Sequence, residues 1–129
     1  MDIQKKIDDL GYWDARVVQL ECKYFSDEVV LCHEDEEFIV MYLFTGCYKT
    51  IFDHLIEYRK SKEVKNMRVP EIPYFLQKIS LEESFKSDNR LYICKIEMFP
   101  MNVEIWCNDI QIIRKVRENK SNIADVKIV

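Results

Sequence analysis

Glycine is nearly absent from this chain: Gly11 and Gly46 are the two it has in 129 residues, beside three prolines. A Walker-type phosphate loop and a dinucleotide fingerprint each need several closely spaced glycines, so neither can be written with this pair. Apolar stretches are short as well, none near the ~18 residues that would cross a bilayer as a helix. Positive charge is not in excess: 19 Lys and Arg stand against 23 Asp and Glu, a formal charge of −4. That balance argues against a general nucleic-acid binder, whose affinity rests on clustered cations. The opening MDIQKKIDDLGYW has no continuous apolar core of the secretory kind. A cytoplasmic protein with no membrane and no nucleic-acid partner is therefore expected.

What is present suits one globular domain. Hydrophobic residues make up 48% and charged residues 33%, and a chain of this length buries roughly two thirds of the surface its unfolded form exposes. Five cysteines, Cys22, Cys32, Cys47, Cys94 and Cys107, are an odd number without a tight pairing motif. Such thiols fit a reducing compartment in which they simply pack.

Periodicity places the elements. Ile3, Ile7 and Leu10 form a helical stripe that stops at Gly11. From Ala15 the period becomes two: Val18, Leu20, Cys22 and Tyr24 mark the dry face of a strand, and Phe25-Ser26-Asp27 turns the chain. A second strand runs through Val29, Leu31 and His33, and Phe38 to Phe44 is apolar enough to be covered on both faces. Thr50 with Asp53 resembles a helix cap, and Ile51, Leu55 and Tyr58 fall at helical spacing, so a helix is expected from Ile51 to Arg59. A strand continuing through Cys47 to Phe52 is the alternative. Lys60 to Pro73 reads as a long polar connection.

Four more strands follow, marked by Phe75 to Phe85, Tyr92 to Met98, Val103 to Cys107 and Ile110 to Val116, with turns at 86–89, 99–100 and 108–109. The expected fold is mostly β (α+β): one antiparallel domain over 1–129 of about seven strands. A meander of three precedes a meander of four, as a sandwich or curled sheet, with one or two short helices. Residues 118–129 are expected as a frayed tail.

The stretch LCHEDEEFIV sets a thiol, an imidazole and four carboxylates in a row and raises the question of a metal. Neighbouring strand residues face opposite ways, so Cys32 and His33 cannot both reach one ion. No metal and no cofactor is expected. Glu34, Asp35, Glu36 and Glu37 instead read as a solvated hairpin end whose field would attract a cationic protein partner. Basic residues gather at Arg59, Lys60, Lys62, Lys65 and Arg68, and again at Arg114, Lys115, Arg117 and Lys120. A positive face results if the two groups meet, and a solvated connection if they do not. Gly11-Tyr12-Trp13-Asp14-Ala15 reads as an aromatic lid, with an exposed partner anchor as the alternative.

The run LGYWDARVVQLECKYFSDEVVLCHEDEEFIVMYLFTG resembles the opening of small β-rich immunity proteins of bacterial polymorphic-toxin systems. Their aromatic-or-His then Asp pair maps onto Trp13-Asp14, the hairpin onto Val17 to Glu34, and the Phe-x-Gly end onto Phe44-Thr45-Gly46. IEMFPMNVEIWCNDIQI resembles their closing hairpin. The resemblance implies a non-enzymatic binding protein, with no catalytic residues, that blocks a cognate toxin by covering a basic or nucleic-acid-binding surface. Two rival functions keep their place: a subunit that forms a homo-oligomer through a sheet edge, and a small hydrolase or ligand carrier using Trp106, Cys107 and His54.

Overall fold

The computed structural model describes residues 2–57, 62–86 and 89–116. A helix α1 (Ile3–Asp9) precedes β1 (Val17–Lys23), β2 (Glu28–Glu34), β3 (Phe38–Thr45) and β4 (Lys49–His54). Two 3-10 turns, Val64–Asn66 and Val69–Glu71, occupy the long connection. β5 (Lys78–Lys86), β6 (Asn89–Met98), β7 (Met101–Cys107) and β8 (Asp109–Val116) complete the described chain. The strands form two antiparallel sheets, ordered β1-β2-β3-β8 and β4-β7-β6-β5. The expected mostly β, antiparallel fold is therefore present, as the two-sheet arrangement, and the expected frayed tail at 118–129 lies outside the described residues.

Two expectations are corrected. The segment read as a helix from Ile51 is the strand β4, paired with β7 from Lys49↔Trp106 to His54↔Met101. Thr50, Ile51 and Phe52 suit a pleated surface, and pairing to a ready neighbour overrides a cap-like Thr50 and a three-residue apolar stripe. Tyr58 and Arg59, the end of that stripe, lie outside the described residues. The second meander also stops at three strands. Both sides of β7 are taken, by β6 and β4, so β8 leaves that sheet and pairs with β3 from Thr45↔Asp109 to Phe38↔Val116.

The sheets are joined at a corner. β3 runs into β4 through residues 46–48 and β7 into β8 through Asn108, so two paired strands bend together from one sheet to the other. Gly46 sits there at φ 62°, a left-handed conformation that only glycine takes without strain. Tyr48 N donates to Trp106 O at 2.7 Å and Asn108 N to Thr45 O at 3.1 Å. On the opposite side, residues 74–77 stitch the sheets together. Val17 N donates to Tyr74 O and Leu76 N to Ala15 O on one flank, and Gln77 N to Glu97 O on the other.

Alternation decides what fills the interior. Val29, Leu31, Val40, Tyr42 and Phe44 face Tyr92, Cys94, Ile96, Val103 and Ile105 across the gap, with Ile7 and Tyr12 closing one side. Each such side chain contributes about 1.5–3 kcal/mol on leaving water. The opposite face of the first sheet carries a second apolar cluster, Val30, Cys32, Ile39 and Met41. β3 is thus buried on both faces, as its continuous apolar run predicts.

The helix seals the edge of β5. Gln4 Nε2 donates to Ile79 O at 3.0 Å, Leu81 N donates to Gln4 Oε1 at 2.7 Å, and Ile79 N donates to Tyr12 Oη at 2.8 Å. Two side chains thereby satisfy backbone groups that a neighbouring strand would otherwise pair.

Candidate partner-binding surface

The acidic cluster closes the β2–β3 hairpin, where Glu34 pairs with Ile39 and Asp35 N donates to Phe38 O at 2.9 Å. Asp35 Oδ1 also accepts from Glu36 N at 2.9 Å. The four carboxylates are not equivalent. Glu34 Oε2 lies 3.6 Å from Arg16 Nη1, and Asp35 Oδ2 lies 3.9 Å from Arg114 Nη2. Both arginines are held in place: Arg16 lies 5.0 Å from the centre of the Phe75 ring and donates through Nε to Ile72 O, and Arg114 lies 5.3 Å from the centre of the Phe38 ring. Glu36 and Glu37, at the tip, are exposed. The field this hairpin presents is therefore mainly that of two carboxylates, because the other two are largely balanced where they stand.

Cys32 and His33, next to the cluster in sequence, turn to opposite faces of β2. Cys32 joins the outer apolar cluster, while His33 is buried in the interior at 1% exposure. His33 Nδ1 donates to Glu34 O and Nε2 accepts from Tyr42 Oη, each at 2.9 Å. Both ring nitrogens are thus engaged within the protein. Burial pushes the His33 pKa below the usual 6.5, against the opposing pull of the Glu34 carbonyl and Asp35.

Four of the five thiols are held in the unreactive form. Burial raises Cys32 and Cys107 to about 12 and Cys47 to about 11, and pushes Cys94 upward as well. All four remain protonated near neutrality, and the thiolate is the reactive form. Trp106 and His54 stand at opposite ends of the β4–β7 pairing, with Cys107 inside the core. The trio proposed for a pocket is therefore not assembled. His54 instead contacts Tyr74 Oη through Nε2 at 2.9 Å, and Trp106 Nε1 donates to Glu104 Oε2 at 2.8 Å with Lys49 Nζ 5.0 Å from its ring centre.

Described members of the two basic groups mostly meet carboxylates. Lys62 Nζ lies 2.6 Å from Glu71 Oε2, Arg68 Nε lies 3.7 Å from Glu71 Oε1, and Lys65 Nζ lies 3.2 Å from Glu63 Oε2. Arg59, Lys60, Arg117 and Lys120 lie outside the described residues. The outer face of the second sheet holds a shallow concavity of about 420 Å³ bordered by Asp53, Lys78, Lys95, Glu97 and Glu104. Both signs are interspersed there, three carboxylates against two lysines, so it offers no strong field of one sign.

Aromatic side chains divide between lid and surface. Tyr12 is buried on Ile79, and Trp13 stacks on it at 4.4 Å between ring centres while staying half exposed. Trp13 is thus a lid with an outer face. Tyr24, expected on the dry face of β1, is turned out, because the strand ends at Lys23. It opens a four-residue turn in which Tyr24, Phe25 and Ser26 have φ of 55°, 57° and 72°. For residues with a Cβ each such position costs about 1–2 kcal/mol.

Residues 1–114, from the start of the chain into β8, match the profile of the family described as Immunity protein PIM7. The chain belongs to that family. The match includes both stretches that carry the resemblance to immunity proteins, Leu10 to Gly46 and Ile96 to Ile112. No curated protein matches the chain. Membership in the PIM7 family implies a protein that acts by binding another protein. Among the described residues, no helix is long and apolar enough to cross a membrane.

Proposed function

We propose that this PIM7-family chain is a cytoplasmic immunity protein that neutralises a cognate bacterial toxin by occlusion, binding the toxin's active or binding surface and contributing no chemistry of its own. The family match over residues 1–114 is the observation that carries this reading. High thiol pKa values and a His33 ring fully engaged inside the protein agree with a binding role.

The β2–β3 hairpin, Glu34, Asp35, Glu36 and Glu37, supplies a contact for a basic toxin domain. Glu34 and Asp35 lock the hairpin to Arg16 and Arg114, and Glu36 and Glu37 project. Exposed charges of this kind act mainly on the rate of encounter, within a Debye length of about 8 Å at physiological salt. The test uses a toxin domain whose growth arrest the wild-type chain relieves on co-expression. With the purified pair, Glu36→Lys with Glu37→Lys is expected to slow association about tenfold at low salt and to flatten its salt dependence, leaving dissociation nearly unchanged. Unaltered association kinetics would remove the hairpin from the interface. A chain that relieves no toxin would remove the function.

A further inference from the structure

Three of the protein's exposed aromatics gather at the end of the first sheet away from the acidic hairpin. Phe25 is exposed at 106%, Tyr24 at 68% and Tyr48 at 61%. Tyr24 and Phe25 belong to the β1–β2 turn and Tyr48 to the corner beside it. Cys47 N donates to Asp27 O at 3.0 Å and so ties corner to turn.

Solvent gives these rings no reason to be here. A β-hairpin turn that needs several positive-φ residues is most easily made from Asn, Asp and Gly. This one sets a tyrosine, a phenylalanine and a serine at three such positions in succession. The turn is nevertheless well fixed: Asp27 N donates to Tyr24 O at 3.1 Å, and Tyr48 Oη donates to Asn108 Oδ1 at 2.8 Å. Large rigid side chains held out on an ordered backbone lose little freedom on binding, the property of interface hot spots.

Charge around the rings narrows the partner. Asp27 is exposed two residues after Phe25, and Glu28 and Asp109 flank Thr45 in a cross-strand row that Lys23, opposite Glu28, completes. Among the described residues none of these three carboxylates is ion-paired. A protruding apolar tip bordered by three carboxylates against the one lysine of that row fits a concave apolar site with a cationic rim.

We propose that the Tyr24–Phe25 turn, with Tyr48 beside it, is the anchor by which this immunity protein seats itself in an apolar, cation-rimmed cleft of its toxin. The proposal rests on the neutralisation reading above. Six residues of β2, Glu28 to His33, separate this turn from Glu34 of the acidic hairpin, a rise of about 20 Å. A standard interface of about 800 Å² per partner is wide enough to reach both.

The probe is the toxin domain selected by rescue with the wild-type chain, so failure of the neutralisation reading shows first as absence of any rescue. Two variants are compared: Tyr24→Asn with Phe25→Gly, which removes two rings and suits the backbone better, and Tyr48→Ser, which lies outside the turn. The first is expected to keep or raise the thermal midpoint, yet weaken toxin binding at least about thirtyfold through faster dissociation and abolish rescue. Tyr48→Ser is expected to weaken binding in the same direction with the fold retained. Toxin affinity within threefold of wild type for both folded variants would overturn the proposal. So would a concentration-dependent dimer lost in the first variant while toxin binding is untouched, because the turn would then serve a second copy of this chain.

Discussion

A methyl group built on Gly46 would stand 2.7 Å from Asn108 Nδ2 and 3.0 Å from Asn108 Cβ, so the two strand pairs turn their corner with one side chain occupying the space another would need. Gly11 has nearly the same φ, 60°, but nothing within 4 Å of the equivalent position. Gly46→Ala and Gly11→Ala therefore share the conformational cost of about 1 kcal/mol and differ in the collision. In urea unfolding Gly46→Ala is expected to lose clearly more stability than Gly11→Ala. Equal losses would mean that the Asn108 side chain moves aside freely.

Tyr12→Phe removes the acceptor of the Ile79 amide and leaves it buried under the helix. A loss of about 1–3 kcal/mol is expected, the cost of an unsatisfied buried donor. Hydrogen exchange gives the local reading: protection at Ile79 should fall, while amides within the β6–β7 pairing, which bond strand to strand, should change only with global stability.

The position of His33 gives stability a dependence on pH. Its folded pKa is lowered, so the unfolded chain binds the proton more readily. Stability is then complete above the unfolded value of about 6.5 and declines as pH falls from there toward the folded pKa. Urea midpoints at pH 7.5 and 5.5 should differ in that sense, and His33→Leu should reduce the slope. A midpoint rising on acidification would contradict the neutral, Tyr42-bonded ring.

Thiol chemistry should sort the five cysteines by location. Cys22 is exposed, Cys47 half-buried, and Cys32, Cys94 and Cys107 are buried. Under native conditions a thiol reagent followed by mass spectrometry should give one fast adduct at Cys22 and a slow second at Cys47. The remaining three should react once urea opens the interior. Early modification of Cys107 would contradict its place in the core.

The strands were legible wherever a side chain's neighbours in sequence decided its environment. Val103, Ile105 and Cys107 alternate cleanly with Asn102, Glu104 and Trp106, and β7 follows that pattern residue for residue. β4 was not legible, because Ile51 and Phe52 fit a helix or a strand equally well and the decision belongs to β7, some fifty residues on. The course of β8 was hidden for the same reason: its apolar face suits either sheet, and β4 closes one of them. At the acidic hairpin the sequence showed the charges and their turn. It could not show that Arg16 and Arg114, far away along the chain, balance two of them.

Neither sheet is a contiguous piece of chain. The first needs β8, beginning at Asp109, to flank Phe44, and the second needs β7 before β4 has a neighbour. On a ribosome the early strands must therefore wait, β3 with one side open until β8 emerges and β4 with no strand neighbour until β7 does. Because the β3–β8 contacts close so late, severing the chain in the long link after β4 would yield halves that depend on each other, each able to complete the other's sheet when the two meet.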